Sequence, residues 1–97
     1  MSTQVVALDG EIDIEVAPDL RRRLHEAVDA SPGSTVTIDM AKVTFIDSTG
    51  LGLLVSALKR ARQSGGSVTI ANAAPNVAKV FRITGLDQVL EVSDASS

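Results

Sequence analysis

The chain has 97 residues, 44% of them hydrophobic, and a net charge of −3 at neutral pH. This length supports one domain in which every element must contribute to the core. An acidic chain lacks the basic face that nucleic acids and anionic membranes attract. The absence of Trp and Tyr also removes the usual platforms for stacking bases or sugars.

The chain contains no cysteine, although small secreted domains usually depend on disulfides. The segment Met1–Gln4 has neither the charged nor the apolar region of a signal peptide. No stretch approaches the roughly 20 apolar residues of a membrane span. We therefore expect a cytoplasmic protein that does not bind membranes.

A short strand and an amphipathic helix are predicted first. Val5–Leu8 is the strand, and Asp9-Gly10 is a turn signal after it. Pro18 suits the first turn of a helix, which ends near residues 31–34. The apolar face of this helix recurs every three to four residues and consists of Ala17, Leu20, Leu24 and Val28.

The middle of the chain predicts further strands and a second helix. Thr35–Met40 alternates and is rich in β-branched residues, and Val43–Ile46 follows after a short loop. The second helix follows this segment and ends at Gly65-Gly66. The apolar face of this helix consists of Leu51, Leu54, Val55, Leu58 and Ala61.

Ser67–Ala71 predicts a strand, Pro75 begins a third helix that Gly85 ends, and Val89–Val92 predicts a last short strand. The alternation of strands and helices indicates an α/β fold, in which helices pack on a mainly parallel four-stranded sheet. We predict one domain over residues 1–97.

The segment Phe45–Gly52, in which apolar residues lead through Asp47-Ser48-Thr49 into two glycines and a helix, admits three interpretations. Helix capping explains the polar residues, whose side-chain oxygens can accept first-turn N–H groups. It does not explain Gly50 and Gly52, because each glycine costs a helix about 1 kcal/mol relative to alanine. Such a cost indicates close backbone approach or a surface that must stay uncrowded.

The two other interpretations fit the spacing poorly. A dinucleotide-binding loop would need a third glycine at position 55, which is Val55. Half of an aspartic protease would place its catalytic Asp directly before a Thr-Gly or Ser-Gly pair, whereas two residues separate Asp47 from Gly50. The amphipathic helix that follows this segment also does not fit the fold of an all-β protease.

Asp47-Ser48-Thr49-Gly50-Leu51-Gly52 resembles the phosphorylation motif of the anti-sigma factor antagonists, which are STAS domains. The resemblance extends over nearly the whole chain at matching spacings. Its other motifs are Gly10-Glu11-Ile12-Asp13, Ala17-Pro18-Asp19-Leu20, Gly65-Gly66, Pro75-x-Val77, Phe81 and Gly85-Leu86. It implies a single small STAS-like domain with a mixed, mainly parallel sheet.

The resemblance implies a function as well. The unphosphorylated antagonist is expected to bind an anti-sigma factor that is also a serine kinase, so that sigma factor is released. The kinase would phosphorylate Ser48, the first hydroxyl after Asp47, and a metal-dependent phosphatase would restore the protein. The expected partner-binding residues are Asp13, Asp47, Ser48, Thr49, Gly50, Leu51, Gly52 and Leu53. The alternative is a STAS module that does not switch, within a transporter or a sensory assembly.

The sequence also departs from the family pattern. It ends at Ser93–Ser97 without the last helix usual in the family, so we expect a less covered sheet, which leaves homodimerisation open. Val16 stands where many members have a Thr that could cap the first helix. No group of residues has the spacing of a metal site or of a nucleophile with its base, so we expect no cofactor and no enzymatic activity.

Overall fold

The computed structural model describes residues 3–94. They form two layers, a β-sheet and the α-helices that pack on it. A four-stranded sheet in the order β1-β2-β3-β4 carries three helices, and each neighbouring pair of strands is parallel. The elements are β1 Thr3–Ile12, α1 Ala17–Ala30, β2 Thr35–Ile46, α2 Ser48–Gln63, β3 Ser67–Ala73, α3 Pro75–Thr84, a 3-10 turn Leu86–Gln88 and β4 Glu91–Asp94. The predicted α/β class is confirmed, and within residues 3–94 the sheet is wholly parallel rather than mixed.

β1 is longer than the predicted Val5–Leu8. It runs through Asp9-Gly10, where its register against β2 shifts on both sides. Gly10 has a φ of 69°, which glycine adopts at no steric cost. The turn signal therefore marks an irregularity within one strand. The extra length carries β1 to Ile12, beside the end of β2.

β2 is likewise one strand where a loop was predicted between Met40 and Val43. The Asp39 carboxylate accepts the Ala41 N–H at 3.0 Å and so satisfies this backbone group inside the irregular stretch. β4 begins at Glu91, two residues later than predicted, because a 3-10 turn occupies Leu86–Gln88.

Backbone conformation and close packing explain why glycines stand at the ends of α3 and α2. Gly85 ends α3 with a φ of 76°, in the left-handed region. Gly66, after α2, lies so close to Ser34 that a Cβ on it would come within 2.3 Å of the Ser34 carbonyl oxygen. Gly66 thus allows the start of β3 to lie against the start of β2.

The core lies between one face of the sheet and the helices. Along β2 and β3, buried Val36, Ile38 and Ile70 alternate with partly exposed Thr37 and Thr69 on the opposite face. The largest fully buried side chains are Phe81, Leu24, Ile38, Met40, Leu54, Ile70 and Leu90. This packing fixes the start of α2 over the carboxyl ends of β1 and β2.

Candidate functional site

The loops that follow β1 and β2 meet at one edge of the sheet. Ile12 pairs with Ile46, and the Asp47 N–H donates to the Ile12 carbonyl oxygen at 3.1 Å. The loop that begins with Asp13 therefore lies beside the first turn of α2, where Ser48 is located. Neighbouring parallel strands bring their carboxyl-end loops to the same edge of the sheet.

Asp47 is the N-cap of α2. It has an extended backbone, and its Oδ1 accepts the Gly50 N–H at 3.0 Å. Its carbonyl accepts the first helical bond, from Leu51 at 3.0 Å. Of the three polar residues in the motif, Asp47 is therefore the one that caps the helix. The hydroxyl groups of Ser48 and Thr49 do not take part in capping.

Ser48 is the first helical residue and is exposed, whereas Thr49 is partly buried. No hydrogen bond from the Ser48 hydroxyl to any atom of residues 3–94 is present. The N-terminal end of a helix favours negative charge through its free N–H groups and its dipole. Ser48 is therefore the more accessible hydroxyl, at a position that tolerates a phosphate.

Gly50 and Gly52 serve different purposes. A Cβ on Gly50 would lie 2.7 Å from Ile12 Cγ2 and 2.9 Å from Ile46 Cγ1, so Gly50 allows α2 to pack closely on the strand ends. A Cβ on Gly52 would meet nothing within 4 Å. Close approach explains the first glycine, and an uncrowded surface describes the second.

Asp13 is partly buried and shapes the loop before α1. Its Oδ1 accepts the Glu15 N–H at 3.0 Å, and its carbonyl accepts the Val16 N–H at 3.2 Å. This is a side-chain turn of the kind that Asp favours. Val16 precedes α1 without a side-chain cap, as expected from its replacement of Thr.

The apolar residues around the motif divide into core and surface. Leu51 is 6% exposed and Leu53 packs partly against the core, so both side chains help to hold α2 on the sheet, and their role in partner binding stays a prediction. Phe45 is 49% exposed. Ile14, which belongs to none of the predicted elements or site residues, is 70% exposed in the loop beside Asp13. Its position outside any periodic apolar pattern was the available signal.

Titratable groups with perturbed pKa lie away from this edge. The hydrogen bonds from Arg60 lower the pKa of Asp29, and the backbone N–H of Ala41 lowers the pKa of Asp39, with Asn72 assisting.

Residues 3–94 contain no cluster of three His, Cys, Asp or Glu side chains that could bind a metal. No helix in this described range has the length and apolarity to cross a membrane.

The sequence matches the STAS domain family over residues 2–97, and the chain therefore belongs to this family. It is 36% identical to the anti-sigma-B factor antagonist of Bacillus subtilis over 91 residues, which cover 94% of this chain and 82% of that protein. It is 34% identical to the anti-sigma-B factor antagonist of Listeria monocytogenes, covering 88% and 74% of the two chains.

Solved structures show the same architecture. The unphosphorylated form of the anti-sigma factor antagonist SpoIIAA superposes with a TM-score of 0.79 at 25% identity, covering 98% of this chain and 83% of that one. An anti-sigma factor antagonist from Mycobacterium paratuberculosis gives 0.82 at 29% identity, covering 93% and 75%. The single STAS-like domain predicted from the sequence resemblance is confirmed.

Proposed function

We propose that the protein is an anti-sigma factor antagonist that regulates transcription by exchanging partners. In its unphosphorylated form it binds an anti-sigma factor that is a serine kinase, and phosphorylation of Ser48 releases it. A metal-dependent phosphatase removes the phosphate. Two anti-sigma-B factor antagonists more than 30% identical to the chain support this role.

The observation that carries the proposal is the placement of Ser48. Ser48 is exposed at the N-terminus of α2. Asp47, and not Ser48, accepts the Gly50 N–H, so the Ser48 hydroxyl is not used as the helix cap. Gly52 leaves an open surface one turn further along the helix. A kinase can thus reach Ser48 without any change in the fold.

The release step follows from charge. Phosphorylation adds about −1.5 to −2 charge at a surface that already carries Asp47 and Asp13. When partner groups have been desolvated at an interface, like charges forced together cost several kcal/mol. Each ~1.4 kcal/mol lowers affinity tenfold, so one phosphate is enough to separate such a complex.

The test uses Ser48→Ala, Ser48→Asp and Thr49→Ala as matched baits in lysate of the native host, with mass spectrometry of bound proteins. We expect an ATP-binding serine kinase on the wild-type, Ser48→Ala and Thr49→Ala chains, and much less on Ser48→Asp. The purified kinase with ATP should then label Ser48 in wild type and in Thr49→Ala.

Label on Thr49 in the Ser48→Ala chain would contradict the site. Equal capture of the kinase by Ser48→Ala and Ser48→Asp would place Ser48 outside the interface. Capture of no kinase by any bait would favour the STAS module that does not switch.

A further inference from the structure

Phe45 is turned out of the core by an extra residue in β2. Gly10 of β1 pairs with Val43. The next residue of β1, Glu11, pairs with Phe45, so Thr44 is an extra residue at this point of β2. Val43 is buried, whereas Thr44 and Phe45 are exposed. In a regular strand Phe45 would share the buried face of Val43, because side chains alternate between the two faces. The bulge therefore directs Phe45 to the sheet face opposite the helices.

The side-chain amide of Asn76 holds this bulge in place. Asn76 is the second residue of α3, and its Nδ2 donates a hydrogen bond of 3.0 Å to the Thr44 carbonyl oxygen. Within residues 3–94, β3 pairs with β2 over Thr35–Asp39 and not beside the bulge. The Asn76 amide thus satisfies a backbone group that no neighbouring strand reaches, and it fixes the course of β2 just before Phe45.

Phe45 and a second exposed apolar side chain, Ile14, lie at the edge that carries Ser48. Ile14 is in the loop after β1, and the pairing of Ile12 with Ile46 brings this loop beside the end of β2. Chain connectivity then keeps the Cα atoms of Ile14 and Phe45 within roughly 16 Å of each other. An aromatic ring that a bulge directs into solvent beside an accessible hydroxyl indicates contact with another molecule.

We propose that Phe45 is an anchor for the serine kinase, which receives the ring in an apolar pocket, and that Ile14 packs beside it. This inference rests on the proposed function. Three residues along the chain keep the Cα atoms of Phe45 and Ser48 within about 11 Å. A kinase whose active site reaches Ser48 covers side chains at this distance, because an ordinary interface includes about 20–30 residues a side. Aromatic anchors in desolvated pockets supply much of the energy of such interfaces.

The surroundings of the anchor are acidic. Glu11, the partner of Phe45 in β1, and Glu15, which follows Ile14, are both exposed. Residues 9–19 contain five Asp or Glu and no Lys or Arg. The kinase surface around the pocket is therefore expected to carry Lys or Arg opposite these carboxylates. Because Ser48 begins α2, on the helix side of the sheet, its phosphate meets a different part of the partner.

Affinity for the kinase that the wild-type chain captures tests the anchor. All variants carry Ser48→Ala, so ATP can be present without phosphorylation at this position. Phe45→Ala should bind the purified kinase about tenfold more weakly or worse in calorimetry, as truncation of an anchor does. Ile83→Ala is the matched control and should bind with unchanged affinity, because Ile83 is 73% exposed near the other end of α3.

Ile14→Ala provides a second variant whose folding is not in question, since Ile14 is exposed in a loop. It should weaken binding a few-fold at an unchanged melting temperature. Thermal melts of all variants separate a loss of contact from a loss of structure.

Asn76→Asp tests the positioning of the ring. An ionised Asp has nearly the same shape but cannot donate to the Thr44 carbonyl, and an acidic residue suits the first turn of α3. We expect affinity to fall several-fold at a melting temperature close to that of wild type. In the Phe45→Ala chain the same change should have no further effect, because Asn76 acts through the ring. Equal weakening in both backgrounds would refute this role of Asn76.

The charged surroundings are tested by Glu11→Gln combined with Glu15→Gln. Charges at the rim of an interface act mainly on the association rate. The double variant should associate with the kinase more slowly than the wild-type chain, with less dependence on salt and an unchanged dissociation rate. Surface plasmon resonance measures both rates, and an association rate equal to that of wild type would contradict a basic partner surface.

Failure of this inference differs from failure of the proposed function. A kinase that labels Ser48 in wild type but binds Phe45→Ala and Ile14→Ala as tightly as the parent chain would overturn the anchor alone. So would a loss of affinity in Ile83→Ala as large as that in Phe45→Ala. A wild-type chain that captures no kinase would overturn both.

Discussion

At the scale of single residues, Gly50 and Gly52 are under opposite constraints. Gly50→Ala drives a methyl group to within 3 Å of Ile12 and Ile46, whereas Gly52→Ala adds one in open space. We expect Gly50→Ala to lower the free energy of unfolding by about 1–3 kcal/mol, as overpacking does. Gly52→Ala should raise it by up to about 1 kcal/mol, through helix propensity.

Urea denaturation of the two variants beside wild type measures both effects. The pair differs only in which of two helix positions, one half-turn apart, receives the methyl group. Equal changes in the two variants would mean that the contact of Gly50 with the strand ends does not limit the packing of α2.

Asp13 illustrates how a structural and a functional role can be separated. Its Oδ1 accepts the Glu15 N–H, and an Asn side chain can keep this bond while losing the charge. If Asp13 acts on the kinase or on Ser48, Asp13→Asn should slow phosphorylation or weaken kinase binding about tenfold, ~1.4 kcal/mol, at unchanged melting temperature.

Asp13→Ala is the control for the turn. It should lower the melting temperature, because the Glu15 N–H loses its partner. If the Asp13→Asn chain is phosphorylated at the wild-type rate and binds the kinase with wild-type affinity, the role of Asp13 is limited to shaping the turn.

At the scale of elements, the start of α2 depends on a single side-chain cap. We expect Asp47→Ala to cost about 1 kcal/mol of unfolding free energy, since the Gly50 N–H loses its acceptor. Asp47→Ser and Asp47→Asn can accept the same bond and should cost less. Chemical denaturation ranks the three variants, and a cost for Ser equal to that for Ala would show that the cap bond contributes little.

α1 and α2 are joined across their surfaces by Asp29 and Arg60. Arg60 donates through Nε to Oδ1 at 2.8 Å and through Nη2 to Oδ2 at 2.7 Å. These bonds hold the pKa of Asp29 in the folded protein below its ordinary value of about 3.9. A carboxyl with a depressed folded pKa stabilises the protein above its unfolded pKa, and this contribution disappears as pH falls through the folded pKa.

We therefore expect wild type to be more stable than Asp29→Asn at neutral pH, and the difference to vanish in acid below the ordinary aspartate range. The pair is exposed, so the difference should be small and should shrink in high salt. Thermal melts from neutral to acid pH, at low and high salt, measure it. Asp87→Asn, at another exposed carboxylate, serves as control, and a difference that grows on acidification would refute the assignment.

At the scale of the whole molecule, the sequence accounted for the class of fold because periodicity is local. The 3.6-residue period of Leu20, Leu24 and Val28 and the two-residue period of Val36, Ile38 and Met40 follow from which face meets the core. Pro18, Pro75 and Gly85 marked helix ends through their backbone preferences alone. The motif from Asp47 to Gly52 carried the family resemblance and pointed to Ser48.

The tertiary structure decided what depends on distant neighbours. Asp9-Gly10 became part of a long strand because β2 pairs alongside it, which no local signal shows. The different roles of Gly50 and Gly52, and the burial of Leu51 beside the exposure of Ile14, depend on where β1 ends relative to α2. Such contacts join residues far apart in the chain, so their energies are absent from any short stretch of sequence.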